Sequence, residues 1–553
     1  MIKVSKLPWL FNAVVLLALT ICQSIWFGPI IGKVGFYLDD WSTFSTLANG
    51  QQNWPSLLQI SLSDPRIITR PIEAIVYVGS WLAFHDQPWG HHFLNCSFEV
   101  LAAFFLYLVL CRLSGNRCFS FLASLLMLIY PNHDATHYWV TADTIALSLA
   151  MYLFSLWQAI KAVQDKKPIC FLFSTLGFFA SLLTYEAFLP FIVVTAICLI
   201  VLYRKENDWR QTWLKSILVL SPSVVAILSV YYYQRVFLHQ MQKGLHHAIA
   251  FSGSHFFDVI QTGFSQTLLW PGFFAFVSRT KDALAGLTLD KYCLLILLTS
   301  IIALTFFFLY DDDNKQFRPR VFVGLGIVIM ILSYAVYGTS PEYMPKLESI
   351  MNRINIGSAV GASILISGLL WLMLGQFKRS RSTTIACLTA LASPLIIFFV
   401  LTDWGWSIPW TISWTFQKYV IQSVKKETGR FSDHDSIILA HTPRYVMWSP
   451  LFDGVWDFQA MLRMYLNAPN ITGGVVCDRM TISKDDVKDI SMGYLCGKYP
   501  YSHLFVFIPN PKQWIKIHSA EEFITTIQSN GLDFGLTQAT INRWRKELLS
   551  SNK

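Results

Sequence analysis

Trp9-Leu-Phe-Asn-Ala-Val-Val-Leu-Leu-Ala-Leu-Thr-Ile-Cys-Gln-Ser-Ile-Trp-Phe27 is followed, after eight residues, by Phe36-Tyr-Leu-Asp-Asp-Trp41. The first stretch is long and apolar enough to cross a bilayer, since about 20 such residues span the hydrocarbon core. The second puts two adjacent carboxylates where that span leaves the membrane. The rest of the chain repeats the first signal: 54% of its 553 residues are hydrophobic, 14% are charged, and the mean hydropathy is +0.44. A soluble domain carries about a quarter charged residues, so this is a polytopic membrane protein. That excludes a cytosolic enzyme, a nucleic-acid binder and a secreted disulfide module.

Eleven apolar runs are expected to span, near 8–29, 93–111, 118–131, 142–160, 168–185, 187–203, 216–236, 292–310, 321–337, 357–377 and 384–402. With the N-terminus inside, the inner segments hold 17 Lys and Arg in 47 residues, and the outer loops 9 in 152. That bias of about sixfold reads as N-in by the positive-inside rule. It also accounts for most of the formal charge of +9. Counting 71–84 or 257–278 as an extra span would invert every later loop, so both are expected as juxtamembrane or re-entrant helices. The first run carries no small-residue cleavage site after it and is read as an uncleaved anchor.

After Thr402 polar residues return. The expected organisation is a transmembrane domain over 1–403, with a large outer loop at 33–92, and an extracytoplasmic soluble domain over 404–553. An odd number of spans puts this second domain outside. In it Ser436–His441 and His503–Ile508 read as strands and Ala520–Ser529 as a helix, giving a small α/β module. Cys477 and Cys496 would there meet an oxidising compartment and could pair. The other eight cysteines sit in or beside apolar runs without metal-ligand spacing.

Polar residues that topology does not explain gather on the outer side. Asp39 and Asp40 open the first loop, and Arg70 precedes Pro71 in it. His92, Asn95 and Glu99 stack on one face of the second span at i, i+3 and i+7. His133 and Trp139 lie in the loop Tyr130–Thr141, Glu186 ends a span, and Arg353 precedes the tenth. Carboxylates can act as a general base or hold a divalent metal, and a guanidinium can neutralise a departing phosphate.

In this order the residues resemble the GT-C superfamily of polytopic glycosyltransferases, which includes protein O-mannosyltransferases and the lipid A aminoarabinose transferase. The likeness covers about residues 1–205 and rests on Asp39-Asp40-Trp41, Arg70-Pro71, His92 to Asn95, Pro131 with His133 and Trp139, and Glu186 with Pro190. It implies an inverting transfer of sugar from a polyprenyl-phosphate donor to an extracytoplasmic acceptor, within cell-envelope glycan biosynthesis at a bacterial inner membrane. Asp39 would be the base, or with Asp40 would hold Mg or Mn. Arg70 and Arg353 would take the donor phosphate. His92, Asn95, Glu99, His133, Trp139 and Glu186 would contact substrate. The donor lipid and the membrane are the expected partners, with no nucleic acid, and the sequence does not choose an acceptor. A transporter or flippase of lipid-linked sugars, and an O-antigen polymerase or ligase, are the rivals. The absence of an internal repeat counts against the first.

Overall fold

The computed structural model describes residues 8–204, 208–238, 252–310, 317–340, 343–374, 380–491, 494–530 and 536–551. The expected inner segment 1–6 lies outside them. Two compact units result: Met1–Gly32, Leu62–Val76 and Trp89–Ile408 form the first, and Lys33–Ser61, Tyr77–Pro88 and Pro409–Lys553 the second.

All eleven expected runs fold as helices. Among the described residues, nine helices are long and apolar enough to cross a membrane, from Trp9–Ile31 to Arg381–Lys425. The other two, Arg117–Leu128 and Ile169–Thr184, have 12 and 16 residues. At about 1.5 Å per residue they reach about 18 and 24 Å, short of a core about 30 Å thick. Pro71–Phe84 is a separate helix of 14 residues. The run 257–278 is two helices, Gly253–Leu268 and Trp270–Ala285. The break falls at Leu269, because Pro271 suits a helix start and not a helix interior.

Within the first unit, Pro319–Ala335 and Ile356–Leu374 come together backbone to backbone. A Cβ added at Gly326 would stand 2.6 Å from the Gly361 carbonyl oxygen, and one at Gly361 would stand 2.5 Å from the Gly326 oxygen. Lipid gives helices no hydrophobic reason to associate, so such close van der Waals contact between small residues is what joins them.

The same unit buries an irregular segment, Ile129–His133, and the five-residue helix Asp134–Tyr138 that follows it. Residues Ile129–Tyr138 follow the short helix Arg117–Leu128, and all but fully shed solvent. Away from water, non-helical backbone requires protein partners. Here Asn355 Nδ2 donates to the Asn132 carbonyl at 2.8 Å, the Ala135 amide donates to Asn352 Oδ1 at 3.0 Å, and Asn95 Nδ2 donates to the Thr136 carbonyl at 2.6 Å. Asn132 Nδ2 in turn donates to Thr267 and Ser358.

In the second unit, strands Thr472–Val475, Ser436–Leu439 and Leu504–Ile508 are parallel neighbours in that order, and Gln513–Ile517 closes the sheet antiparallel to the last. Helix Ala520–Ser529 covers it, with Ile438, Val506, Phe523, Ile527 and Trp544 in a common core. A three-stranded antiparallel meander over 480–500 stands beside this sheet. Cys477 and Cys496 are both free thiols.

Candidate functional site

In the first unit Arg70 stands just before helix Pro71–Phe84, with its guanidinium 4.2 Å from the centre of the Tyr185 ring. Its Nε and Nη2 both lie 3.1 Å from Glu186 Oε2, and Nη1 lies 3.9 Å from Glu73. Gln234 holds the same carboxylate from the other side, donating to Glu186 Oε1 at 2.6 Å and to the Thr69 carbonyl at 3.0 Å. Burial works against the charge on Arg70, but Glu186, then Tyr185 and Glu73, outweigh it, so its pKa rises above the ordinary guanidinium value. Arg70 therefore remains charged at any physiological pH.

Arg353 lies 5.0 Å from the Trp139 ring centre and donates to the Ile350 carbonyl at 3.1 Å. Tyr337, at the end of its span, has its ring 5.6 Å from that of Tyr343. The Tyr337 hydroxyl and the Trp139 indole N–H are buried without a hydrogen-bond partner among the described residues. A buried polar group left unpaired costs stability. Arg70, Arg353, the Tyr337 phenol and the Trp139 indole all offer donors, two of them lacking an acceptor. Such a set suits an anion with several oxygens, above all a phosphate.

His92, Asn95, Glu99 and His133 lie inside the first unit. All four are buried, at 0%, 1%, 4% and 2% exposure. Glu99 accepts from Gln23 at 2.8 Å and lies 2.5 Å from His137 Nδ1. His133 Nδ1 meets the Thr136 hydroxyl at 2.7 Å, and the ring stands 4.6 Å from that of His137. Burial first, then the neighbouring His137, pushes the His133 imidazole well below its usual pKa, so it is neutral at pH 7. Asn95 and Glu99 tie the stretch 129–138 to the helix Pro88–Ser114. Glu73, Gln234 and Tyr337 escaped the sequence reading because each falls in or beside an apolar run with nothing local to mark it, whereas His137 stands in the polar loop that the sequence marked.

In the second unit the acidic pair opens helix Asp39–Ala48. Asp40 is fully buried, and its Oδ2 accepts the Tyr37 amide at 2.9 Å. Asp39 is half-buried. The residue before them, Leu38, has φ 48°, a strained value for a side chain with a Cβ. The Tyr37 hydroxyl donates to the Trp410 carbonyl at 2.7 Å, and Trp41 packs among Trp414, Phe452 and Tyr465. The two carboxylates are thus unequal: Asp40 secures the turn and Asp39 is the accessible one. Among the described residues no three acidic, histidine or cysteine side chains converge as metal ligands. A divalent cation at the pair would find one half-buried carboxylate and one turned inward.

No family model matches the chain, and no curated protein does. Two solved structures similar to it are crystal structures of ArnT from Cupriavidus metallidurans. The one bound to undecaprenyl phosphate is 14% identical, covering 84% of this chain and 85% of that one, with a TM-score of 0.38. The apo form is 12% identical, covers 84% of each, and has a TM-score of 0.34.

Proposed function

We propose that this chain is a membrane glycosyltransferase that moves a sugar from a polyprenyl-phosphate donor to an acceptor outside the cytoplasm, as the GT-C resemblance of residues 1–205 implies. The observation that carries the reading is the donor set of Arg70, Arg353, Tyr337 and Trp139, which has the chemistry to receive a phosphate whose lipid tail stays in the bilayer. As the bond between the anomeric carbon and the phosphate oxygen breaks, the electron pair leaves with the phosphate, and the two guanidinium groups neutralise the added charge. Glu186 and Gln234 hold Arg70 in place until the phosphate competes for it.

Asp39 is proposed as the base that takes the proton of the acceptor's hydroxyl while the acceptor oxygen attacks the anomeric carbon with inversion. Asp40 maintains the helix start on which Asp39 stands. No step is routed through a cation.

The test is purified protein in liposomes given radiolabelled polyprenyl-phosphate sugars, with cell-envelope material as the acceptor source. Label leaving the lipid for the acceptor, and lost in Asp39→Asn, supports the reading. Label that crosses the bilayer still on its lipid would replace it with a transporter.

A further inference from the structure

Helices Pro88–Ser114, Ile192–Arg204 and Pro319–Ala335 enclose a slot of about 910 Å³, within the range of roughly 300–1,000 Å³ typical of ligand sites. Its walls are apolar, from Leu113, Ile197, Val201, Val321 and Leu325, while Ser114 and Arg318 bring polar groups to one end. Val201 and Val321 are 49% and 55% exposed, so the slot opens sideways out of the helix bundle. Among the described residues the guanidinium of Arg318 makes no hydrogen bond, ion pair or ring contact, while its carbonyl accepts from the Val321 amide at 3.1 Å.

The length of the slot is informative. From Arg318 to Val328 the lining follows ten residues of helix, about 15 Å. That is the depth of one leaflet of a core about 30 Å thick. An apolar trough one leaflet deep, with a cation at its mouth, has the form of a single lipid: chain along the walls, charged head at the arginine.

We propose that this slot binds an anionic phospholipid, one acyl chain lying along Val321–Val328 and the phosphate paired with Arg318. Basic pockets between membrane helices select anionic lipids in this way. The site shares no residue with the donor set around Arg70, and the inference rests on the chain spanning a membrane, not on its being a transferase. Asp311, Asp312 and Asp313 precede Arg318 outside the described residues, so the charge that reaches the lipid has to be measured in the full chain.

The experiment is native mass spectrometry of the delipidated full-length protein titrated with phosphatidylglycerol, phosphatidylcholine and a polyprenyl phosphate. Phosphatidylglycerol should bind about fivefold tighter than phosphatidylcholine, the preference one arginine at a membrane surface supplies. Arg318→Gln should remove the preference and leave the weaker binding. Gly324 lines the slot, and a Cβ there meets no atom within 4 Å, so Gly324→Trp should fold normally and abolish both. Equal affinity for the two phospholipids, or a preference that survives Arg318→Gln, would overturn the proposal. So would a polyprenyl phosphate that displaces phosphatidylglycerol from the wild type and fails to bind Gly324→Trp, since the slot would then belong to the donor's tail.

Discussion

Tyr337→Phe removes one oxygen from a ring that is 6% exposed and whose hydroxyl has no partner among the described residues. The variant keeps the shape and deletes the unpaired group, so two effects of opposite sign are expected. A buried unsatisfied polar atom costs about 1–3 kcal/mol, so the resting protein should become more stable by about 1 kcal/mol, a rise of roughly 1–3 °C in unfolding temperature for a chain of this size. If the hydroxyl donates to the lipid phosphate, binding loses a charge-assisted hydrogen bond of about 1.5–3 kcal/mol, or roughly 10- to 100-fold in Kd. Thermal unfolding in detergent gives the first quantity, and polyprenyl-phosphate titration on the same preparation gives the second. A structural hydroxyl would move both the other way or leave the affinity alone. Unchanged affinity together with lowered stability would refute the assignment of Tyr337 to an anion site, and the Arg70–Arg353 pair would lose its best support.

Asp39→Asn should reduce transfer by about two orders of magnitude, as expected for loss of a general base, with unfolding temperature unchanged. Asp40→Ala should instead destabilise by about 1 kcal/mol through loss of the acceptor for the Tyr37 amide, visible as faster hydrogen exchange over residues 37–48. Burial drives the Asp457 carboxyl up to about 7 despite three backbone N–H donors, and burial also raises Asp453 and Asp489. Folded-state values above the unfolded ones mean that this stability is complete below about pH 4 and is lost as pH rises through 7, by a few kcal/mol. Exchange protection around residues 453–460 should therefore fall from pH 5 to pH 8, and Asp457→Asn should flatten the profile. Cys477 and Cys496 should both alkylate in denatured, unreduced protein, and a linked peptide pair would contradict their free state.

Helix positions were legible because a 20-residue apolar run has few alternatives in a bilayer, and the three elements expected at 436–441, 503–508 and 520–529 appear as Ser436–Leu439, Leu504–Ile508 and Ala520–Ser529. Depth was less legible. Arg117–Leu128 reads as the start of a span, but Pro131 and the polar run Asn132-His133-Asp134 end the helix early, and protein contacts then replace the missing turns. The stripe His92, Asn95 and Glu99 was readable as a bundle-facing surface from its spacing alone. Its partners were not, since Gln23 and His137 are 76 and 38 residues from Glu99. Asp39 and Asp40 look alike in sequence, and only the inward bond to the Tyr37 amide separates their tasks. Tyr337 is one of 22 tyrosines, and nothing short of its missing partner distinguishes it.

The buried stretch 129–138 has a consequence for how the chain is made. Its hydrogen-bond partners Thr267, Asn352, Asn355 and Ser358 lie 135, 217, 223 and 226 residues downstream of the groups they join. At ribosomal rates of about 5–20 residues per second the wait is roughly 10–45 s. Throughout it, a 12-residue helix and a polar segment with unmet backbone groups have to be kept out of lipid. This part of the protein therefore cannot settle span by span as it leaves the insertion machinery, and should be the region most dependent on a membrane chaperone or on retention at the translocon until the later helices arrive.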